Sequence, residues 1–270
     1  MTPTPVRLVA CDLDGTLFAP GGRLSPRTLA ALAAADGAGV TVVPATGRSH
    51  YTALPRLAGS AGLRWLVCSN GAILYDRAED RVVDRHPVAA DALPALVAAV
   101  RDGLPGAGFG WEGLDGFGYE AGFLDMRPPA DVTAGEVLDA LGPPWPVVTK
   151  LFVGHRDIVR EDLLALVGPL MVDGLVVTCS GAGFVEVTGA GVDKAFGVAR
   201  VCERLGIDRR EVLAIGDHLN DVALLRWAGR SVAMADGHPA ALAAAAEVTP
   251  GCADDGAALV LERVLAPAHP

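Results

Sequence analysis

Through the first 75 residues, short apolar runs rich in Val, Leu and Ile alternate with alanine-rich stretches of helical composition. Continuous apolar runs of this length suit strands buried on both faces, and the intervening helices suit the crossovers of a parallel sheet. The pattern predicts strands at residues 6–11, 40–43 and 65–69. A helix opens at Ser25-Pro26 and runs to about residue 35, with serine as N-cap and proline at the first helical position. Another helix, of undefined extent, falls near 49–58. The same texture returns after residue 192, predicting helices at 194–205, 220–227 and 239–246 and strands at 212–215 and 231–234.

The stretch between about 75 and 191 reads differently. It is richer in aromatics, with Phe109, Trp111, Phe117, Tyr119 and Phe123, and its apolar runs are broken by glycines. Strands are predicted at 81–84, 109–112, 147–153, 175–179 and 184–187, with helices near 91–101, 133–141 and 158–167. The Ser180-Gly181-Ala182-Gly183 segment reads as a tight turn, so this part is expected to hold an antiparallel α+β sheet. The expected organisation is an α/β domain from residues 1–75 and 192–270, with a second domain, 76–191, inserted into it.

Composition narrows the function. Of 270 residues, 51% are apolar and 20% charged, enough for a substantial core and incompatible with a disordered chain. The formal charge of −10 argues against a nucleic-acid binder, which needs a basic face, and against attachment to anionic lipid. An anionic substrate must therefore meet a local positive site. The five cysteines (Cys11, Cys68, Cys179, Cys202, Cys252) are odd in number and scattered, and none has zinc-ligand spacing. The first apolar run stops at Asp12, so no secretory leader is expected, and a reducing, cytoplasmic setting is.

In an open parallel sheet, ligands bind beyond the carboxyl ends of the strands. Here those ends carry Asp12-Leu13-Asp14-Gly15-Thr16, Ala45-Thr46-Gly47-Arg48, Asn70-Gly71 and Gly216-Asp217-His218-Leu219-Asn220-Asp221. Asp12 and Asp14, two apart, place their side chains on one side of the chain, and Gly15 lets the backbone turn. Together with Asp217 they would form three converging carboxylates. Each pair at about 4 Å repels by about 4 kcal/mol at an effective dielectric near 20, so the cluster calls for a cation. Oxygen-only ligands point to Mg²⁺, which takes phosphate oxygens as further ligands. Taken singly, Lys194 reads as a helix-start lysine, Asn70-Gly71 as a turn, and Arg48 as a surface charge at a helix end. Trp111, Glu112, Tyr119 and Lys150 belong to the middle segment, whose apolar faces with a few polar groups would suit a small organic ligand, although most of its aromatics read as core.

In this order, DLDGT, ATGR, the lysine of GVDKAFGV and GDHLND resemble the haloacid dehalogenase superfamily of phosphohydrolases, over both outer blocks of the chain. The interval from Asp14 to Thr46 is too short for an inserted domain, and that from Thr46 to Lys194 is not. With Ser69-Asn70-Gly71-Ala72 ahead of it, this placement is similar to the Cof-like phosphatase subgroup with a large α/β cap, type IIB. The resemblance implies a Rossmann-like core with a mostly parallel sheet and an inserted α+β cap that sets substrate specificity. It makes Asp12 the nucleophile, Asp14 the general acid and base, and Lys194 the cation that steadies Asp12 and the transferring phosphoryl group. Thr46, Gly47, Lys194 and Asn220 would bind phosphate. Asp12, the Asp14 backbone carbonyl and Asp217 would ligate Mg²⁺, with Asp221 behind them or reaching the ion through water. His218 and Ala195 stand where the family often has glycine. The expected activity is hydrolysis of small phosphorylated metabolites, such as sugar phosphates, through an aspartyl-phosphate. The alternatives are a phosphomutase and a non-catalytic phosphate-binding module.

Overall fold

The computed structural model describes residues 4–19, 21–113, 116–126 and 135–266, and the chain falls into two compact units, Met1–Asp84 with Asp193–Pro270 and Arg85–Val192. The first unit is built on a five-stranded parallel sheet. Leu8–Cys11 lies inside it, with Thr41–Pro44 on one side and Val212–Gly216, Arg230–Met234 and Glu247–Thr249 in succession on the other. A parallel bridge from Ala45 to Val67 adds the Trp65–Cys68 strand beyond Thr41–Pro44. Trp65–Cys68 pairs in turn with Ile73–Asp76, and Arg81–Arg85 follows in the same small sheet, so residues 76–84 stay with the first unit.

Alternation along these strands explains why the runs are apolar throughout. Val9, Cys11, Leu213 and Ile215 join one core cluster, whereas Leu8, Ala10, Val212 and Ala214 join another on the opposite face. The helix Pro26–Gly37 covers the first face, burying Thr28, Ala31, Leu32 and Ala35 at helical spacing. Ser25 caps it as the sequence predicts, its Oγ accepting from the Thr28 backbone N–H. Lys194–Leu205 covers the other face, opened by Asp193 as N-cap and closed by Gly206 in the left-handed region.

Several elements are shorter than predicted or were not anticipated. The helix near 49–58 is one turn, His50–Ala53, followed by a 3₁₀ turn, Leu54–Leu57. The helix expected from Asn220 begins at Val222, after a 3₁₀ turn over Leu219–Asp221. The Phe18–Ala19 and Arg23–Leu24 hairpin and the Glu247–Thr249 strand had no clear signal, because two- and three-residue strands carry too little periodicity, and the Gly256–Leu265 helix was not anticipated either.

The second unit carries a six-stranded sheet in the order Glu136–Leu138, Phe117–Glu120, Ala107–Glu112, Lys150–His155, Val185–Gly189, Leu175–Thr178. Every pairing is antiparallel except the first. The helix predicted over 133–141 is corrected where it is described: residues 136–138 are a strand paired with Phe117–Glu120, and 133–134 lie outside the described residues. Phe109, Trp111, Leu151, Val153, Val185 and Val187 share a core with residues of the helices Ala92–Gly103 and Arg160–Val167. Trp111 is therefore core rather than a ligand-facing residue. A short helix, Ala121–Met126, packs on the sheet through Phe123; a Cβ at Gly110 or Gly154 would come within about 3.1 Å of Phe123 ring atoms, so glycine at these positions admits its ring. Lys150 is buried and paired with Glu186 at 2.8 Å, with Glu112 Oε2 at 4.0 Å. All five cysteines are free, and among the described residues no helix is long and apolar enough to cross a membrane.

Ser25 Oγ also donates to Asp255 Oδ1 at 2.5 Å, so one hydroxyl caps the first helix and ties it to the start of the last. Ser25→Ala should lower unfolding free energy by about 1–2 kcal/mol in denaturant melts, and Ser25→Thr should restore most of it. Equal losses in both variants would contradict this assignment.

Candidate active site

Topology brings the motifs together before any side chain is considered. In register, Cys11 stands beside Ile215 on one side and Pro44 on the other, so Asp12, Gly216 and Ala45 form the next rung at the carboxyl edge. The chain leaves the first strand to one side and returns on the other, and a crevice forms where the order reverses. Asp12 lies at that point, with its N–H on the Ile215 carbonyl at 3.0 Å.

The core of the site is an ionic array. Lys194, fully buried at the first position of its helix, donates from Nζ to Asp12 Oδ1 at 2.6 Å and to Asp221 Oδ1 at 2.7 Å. The other Asp221 oxygen, Oδ2, accepts the backbone N–H groups of Asp217 and His218 at 3.1 and 3.0 Å. Asp217 Oδ1 accepts from Thr16 Oγ1 at 2.7 Å. Single carboxylate oxygens of Asp12, Asp217 and Asp221 lie within 4.8 Å of one another. Two glycines make room for this packing. A Cβ on Gly216 would fall 2.5 Å from Asp221 Cγ, and one on Gly15 would fall 2.5 Å from Asp217 Oδ2, at a backbone φ of +78° that disfavours other residues.

Three carboxylates against one ammonium leave two excess negative charges, and the protonation equilibria register it. Burial disfavours the charge on Lys194, but Asp12 and Asp221 outweigh burial and hold its pKa above the ordinary lysine value. Burial pushes Asp12 well up; Lys194 opposes the rise, while Asp221 and Asp217 add to it. Asp217 is pushed up to about 6 by burial and by Asp221, against the Thr16 hydroxyl. A group of oxygen donors with an excess charge of −2 and no sulfur or imidazole in it fits a hard divalent cation. Asp221 is the member least available to an ion, since both of its oxygens already have partners.

Asp14 departs from the sequence reading. Its carboxylate does not join the cluster; Arg48 Nε donates to Oδ2 at 2.6 Å and Nη2 to Oδ1 at 2.8 Å, a bidentate pair. The Asp14 side chain is 43% exposed, so the third converging carboxylate is Asp221 instead. Arg48 was read as a surface charge; its place in ATGR, one residue past Gly47 at a strand end, was the available signal. Thr16 was likewise present in DLDGT without being singled out.

On the other side of Asp12, Thr46 is buried, its N–H on the Val67 carbonyl at 2.8 Å and its Oγ1 accepting from the Arg48 N–H at 3.0 Å. Gly47 lies inside that turn. Asn220, also buried, donates from Nδ2 to Asn70 Oδ1 at 3.0 Å. His218 contributes its backbone N–H to Asp221, and its ring lies 5.4 Å from that of His238.

Comparison with known proteins agrees with this geometry. A family profile described as haloacid dehalogenase-like hydrolase matches residues 9–118 and 148–261. The chain is 29% identical over 254 residues to the 5-amino-6-(5-phospho-D-ribitylamino)uracil phosphatase of Bacillus subtilis, covering 94% of this chain and 93% of that one. It is 26% identical over 261 residues to a pyridoxal phosphate phosphatase of Escherichia coli, covering 88% and 91%. Among solved structures, SMU.1108c of Streptococcus mutans superposes with a TM-score of 0.85 at 21% identity, over 97% of this chain and all of that one. The subclass IIB sugar phosphatase BT4131 of the same superfamily gives 0.81 at 21% identity, over 96% and 98%.

The raised pKa of Asp217 has a sign that can be tested in metal-free protein. A folded value near 6 against 3.8 for the free group means that the folded state binds the proton more tightly. The associated stability is present below about pH 4 and is lost as pH rises through about 6, a difference of about 3 kcal/mol. With chelator present, Asp217→Asn should therefore be more stable than the unsubstituted protein at pH 7, and the gap should shrink as pH falls through about 6 and close only below about pH 4. A gap independent of pH in thermal or denaturant unfolding would contradict the electrostatic account.

Proposed function

The chain belongs to the haloacid dehalogenase-like hydrolases, and we propose that it is a Mg²⁺-dependent phosphatase of small phosphorylated metabolites that works through a phosphorylated Asp12. The observation that carries this reading is the contact of Lys194 Nζ with both Asp12 and Asp221, which fixes one Asp12 oxygen and leaves the carboxylate at the open end of the sheet. Asp12, Asp217 and the Asp14 backbone carbonyl would hold the ion. Bound there, Mg²⁺ would offset the excess negative charge and lower the repulsion between Asp12 and an incoming phosphate.

The remaining steps belong to the protein's own residues. Asp12 attacks phosphorus, forming an O–P bond as the bond to the alcohol oxygen breaks. Asp14 gives that oxygen its proton, then accepts one from the water that attacks the aspartyl-phosphate, so released phosphate and free Asp12 close the cycle. Lys194, Thr46, the Gly47 amide and Asn220 take up charge on the transferring phosphoryl oxygens. Both Asp14 oxygens accept from Arg48 in the resting structure, so Asp14 must leave that pair and take up a proton before it can deliver one to the leaving alcohol. Arg48 thereby enters the mechanism as the group that holds and releases the acid.

The substrate reading follows from chemistry and from the relatives. The phosphate is met by the first unit's strand ends, and the second unit, Arg85–Val192, is assigned the selection of the organic part. Relatives named for a phosphoribitylamino-uracil and for pyridoxal phosphate, together with the sugar phosphatase BT4131, support phosphate monoesters of small alcohols as the class.

Phosphate release from a panel of sugar phosphates, pyridoxal phosphate and nucleotides should require Mg²⁺. Asp12→Asn should lower kcat by about 10⁴-fold or more and Asp14→Asn by about 10² to 10⁴-fold, each with unchanged circular dichroism. Substantial turnover by Asp12→Asn would overturn the reading. Isomerised sugar phosphate without free phosphate would instead identify a mutase, and tight phosphate binding without turnover would identify a binding module.

A further inference from the structure

The Ser69–Gly71 turn carries chemistry that the reading above leaves unused. Ser69 and Asn70 both sit in the left-handed region, at φ of 54° and 55°, and Gly71 follows at 100°. Non-glycine residues hold that conformation only where their surroundings fix them. Here the fixing contacts are with site residues. The Ser69 N–H donates to the Arg48 carbonyl at 2.8 Å and the Asn70 N–H to the Thr46 carbonyl at 3.0 Å. Gly71 lies so close to Asp193, the N-cap of the Lys194 helix, that a Cβ would fall 1.9 Å from its carbonyl oxygen. One turn thus meets the Thr46–Arg48 loop, the start of the Lys194 helix and, through the Asn70 side chain, Asn220.

The Asn70 side chain is 2% exposed and that of Asn220 is in a residue 8% exposed. Their one mutual hydrogen bond runs from Asn220 Nδ2 to Asn70 Oδ1, and it leaves Asn70 Nδ2 and Asn220 Oδ1 buried without a partner. Turning both amides over would move the free donor to Asn220 and the free acceptor to Asn70, so in either assignment the pair keeps one buried donor without a partner. A buried amide donor without a partner, held between the Thr46 backbone and the Asn220 side chain, is a group awaiting an acceptor.

We propose that Asn70 is a further phosphate-binding residue, donating from Nδ2 to a non-bridging phosphoryl oxygen while its Oδ1 holds the Asn220 amide in place. The proposal rests on the phosphatase reading and assigns Asn70 to that same site.

The test is the binding of inorganic phosphate in the presence of Mg²⁺, by calorimetry and as competitive inhibition of the hydrolysis of the best substrate in the panel. Asn70→Asp keeps the shape and the tolerance of positive φ but exchanges the donor for a charged acceptor; Asn70→Gly keeps the backbone and deletes the amide. Phosphate affinity should fall at least 10-fold in Asn70→Gly and further in Asn70→Asp, with KM rising in parallel. In Asn220→Ala, adding Asn70→Gly should cost less affinity than it does alone. Affinity unchanged in Asn70→Gly, with melting temperature also unchanged, would overturn the proposal while leaving the phosphatase reading intact. Wild-type protein that binds phosphate through Asn70 but hydrolyses no ester would do the reverse. Should Asn70→Asp not fold, Asn70→Gly alone decides.

Discussion

The site depends on a lysine buried among carboxylates. Lys194 is fully enclosed, which by itself would favour its neutral form, yet Asp12 and Asp221 at 2.6 and 2.7 Å keep it charged. The consequence runs both ways. Asp12 is fixed in direction by the ammonium, and Asp221 is fixed between the ammonium and two backbone N–H groups of its own loop. Removing the cation would leave three neighbouring carboxylates with no compensation; the helix bearing it is held by Asp193 as N-cap and packs closely on the Gly71 turn. The charge left over after Lys194 is satisfied is what suits the site to a divalent cation.

The strand order explains how residues so far apart in sequence meet. Because Leu8–Cys11 lies inside the sheet with its successor on one side and Val212–Gly216 on the other, Asp12 has the Thr46 loop and the Asp217 loop as immediate neighbours. Small residues at the same edge make the approach possible: Gly15 and Gly216 leave space for Asp217 and Asp221, and Gly197 lets its helix come within van der Waals contact of Gly71. The Asp14–Arg48 pair lies outside this array. Its partial exposure distinguishes it from the buried ions and suits the proton-exchanging role proposed for Asp14.

Much of this was legible in the chain. The apolar runs predicted at 6–11, 40–43, 65–69 and 212–215 marked the sheet edge to within a residue, and the polar residues after them marked the site, because period and strand-end position are local properties. Lys194 was legible only as part of a motif set, since nothing in its own neighbourhood says that its ammonium will be buried. What sequence did not reveal was pairing. The choice of Asp221 over Asp14 as the third carboxylate, and of Arg48 as the partner of Asp14, depends on side-chain directions set by the turns after the strands. The strand at Glu136–Leu138 escaped for a related reason: three residues carry no usable period, and its place is set by the neighbouring strand. Trp111 and Lys150 looked available to a ligand and are instead core and a buried ion pair.

The account stands on Asp12 as the atom that receives the phosphoryl group. The most direct measurement is borohydride trapping during steady-state turnover with Mg²⁺ and substrate, followed by peptide mass spectrometry, since an acyl phosphate is reduced to the alcohol and would convert residue 12 to homoserine. The account predicts homoserine at position 12, dependent on both substrate and Mg²⁺, and at no other aspartate. Sustained phosphate release with residue 12 unmodified, or with the label on another side chain, would contradict it.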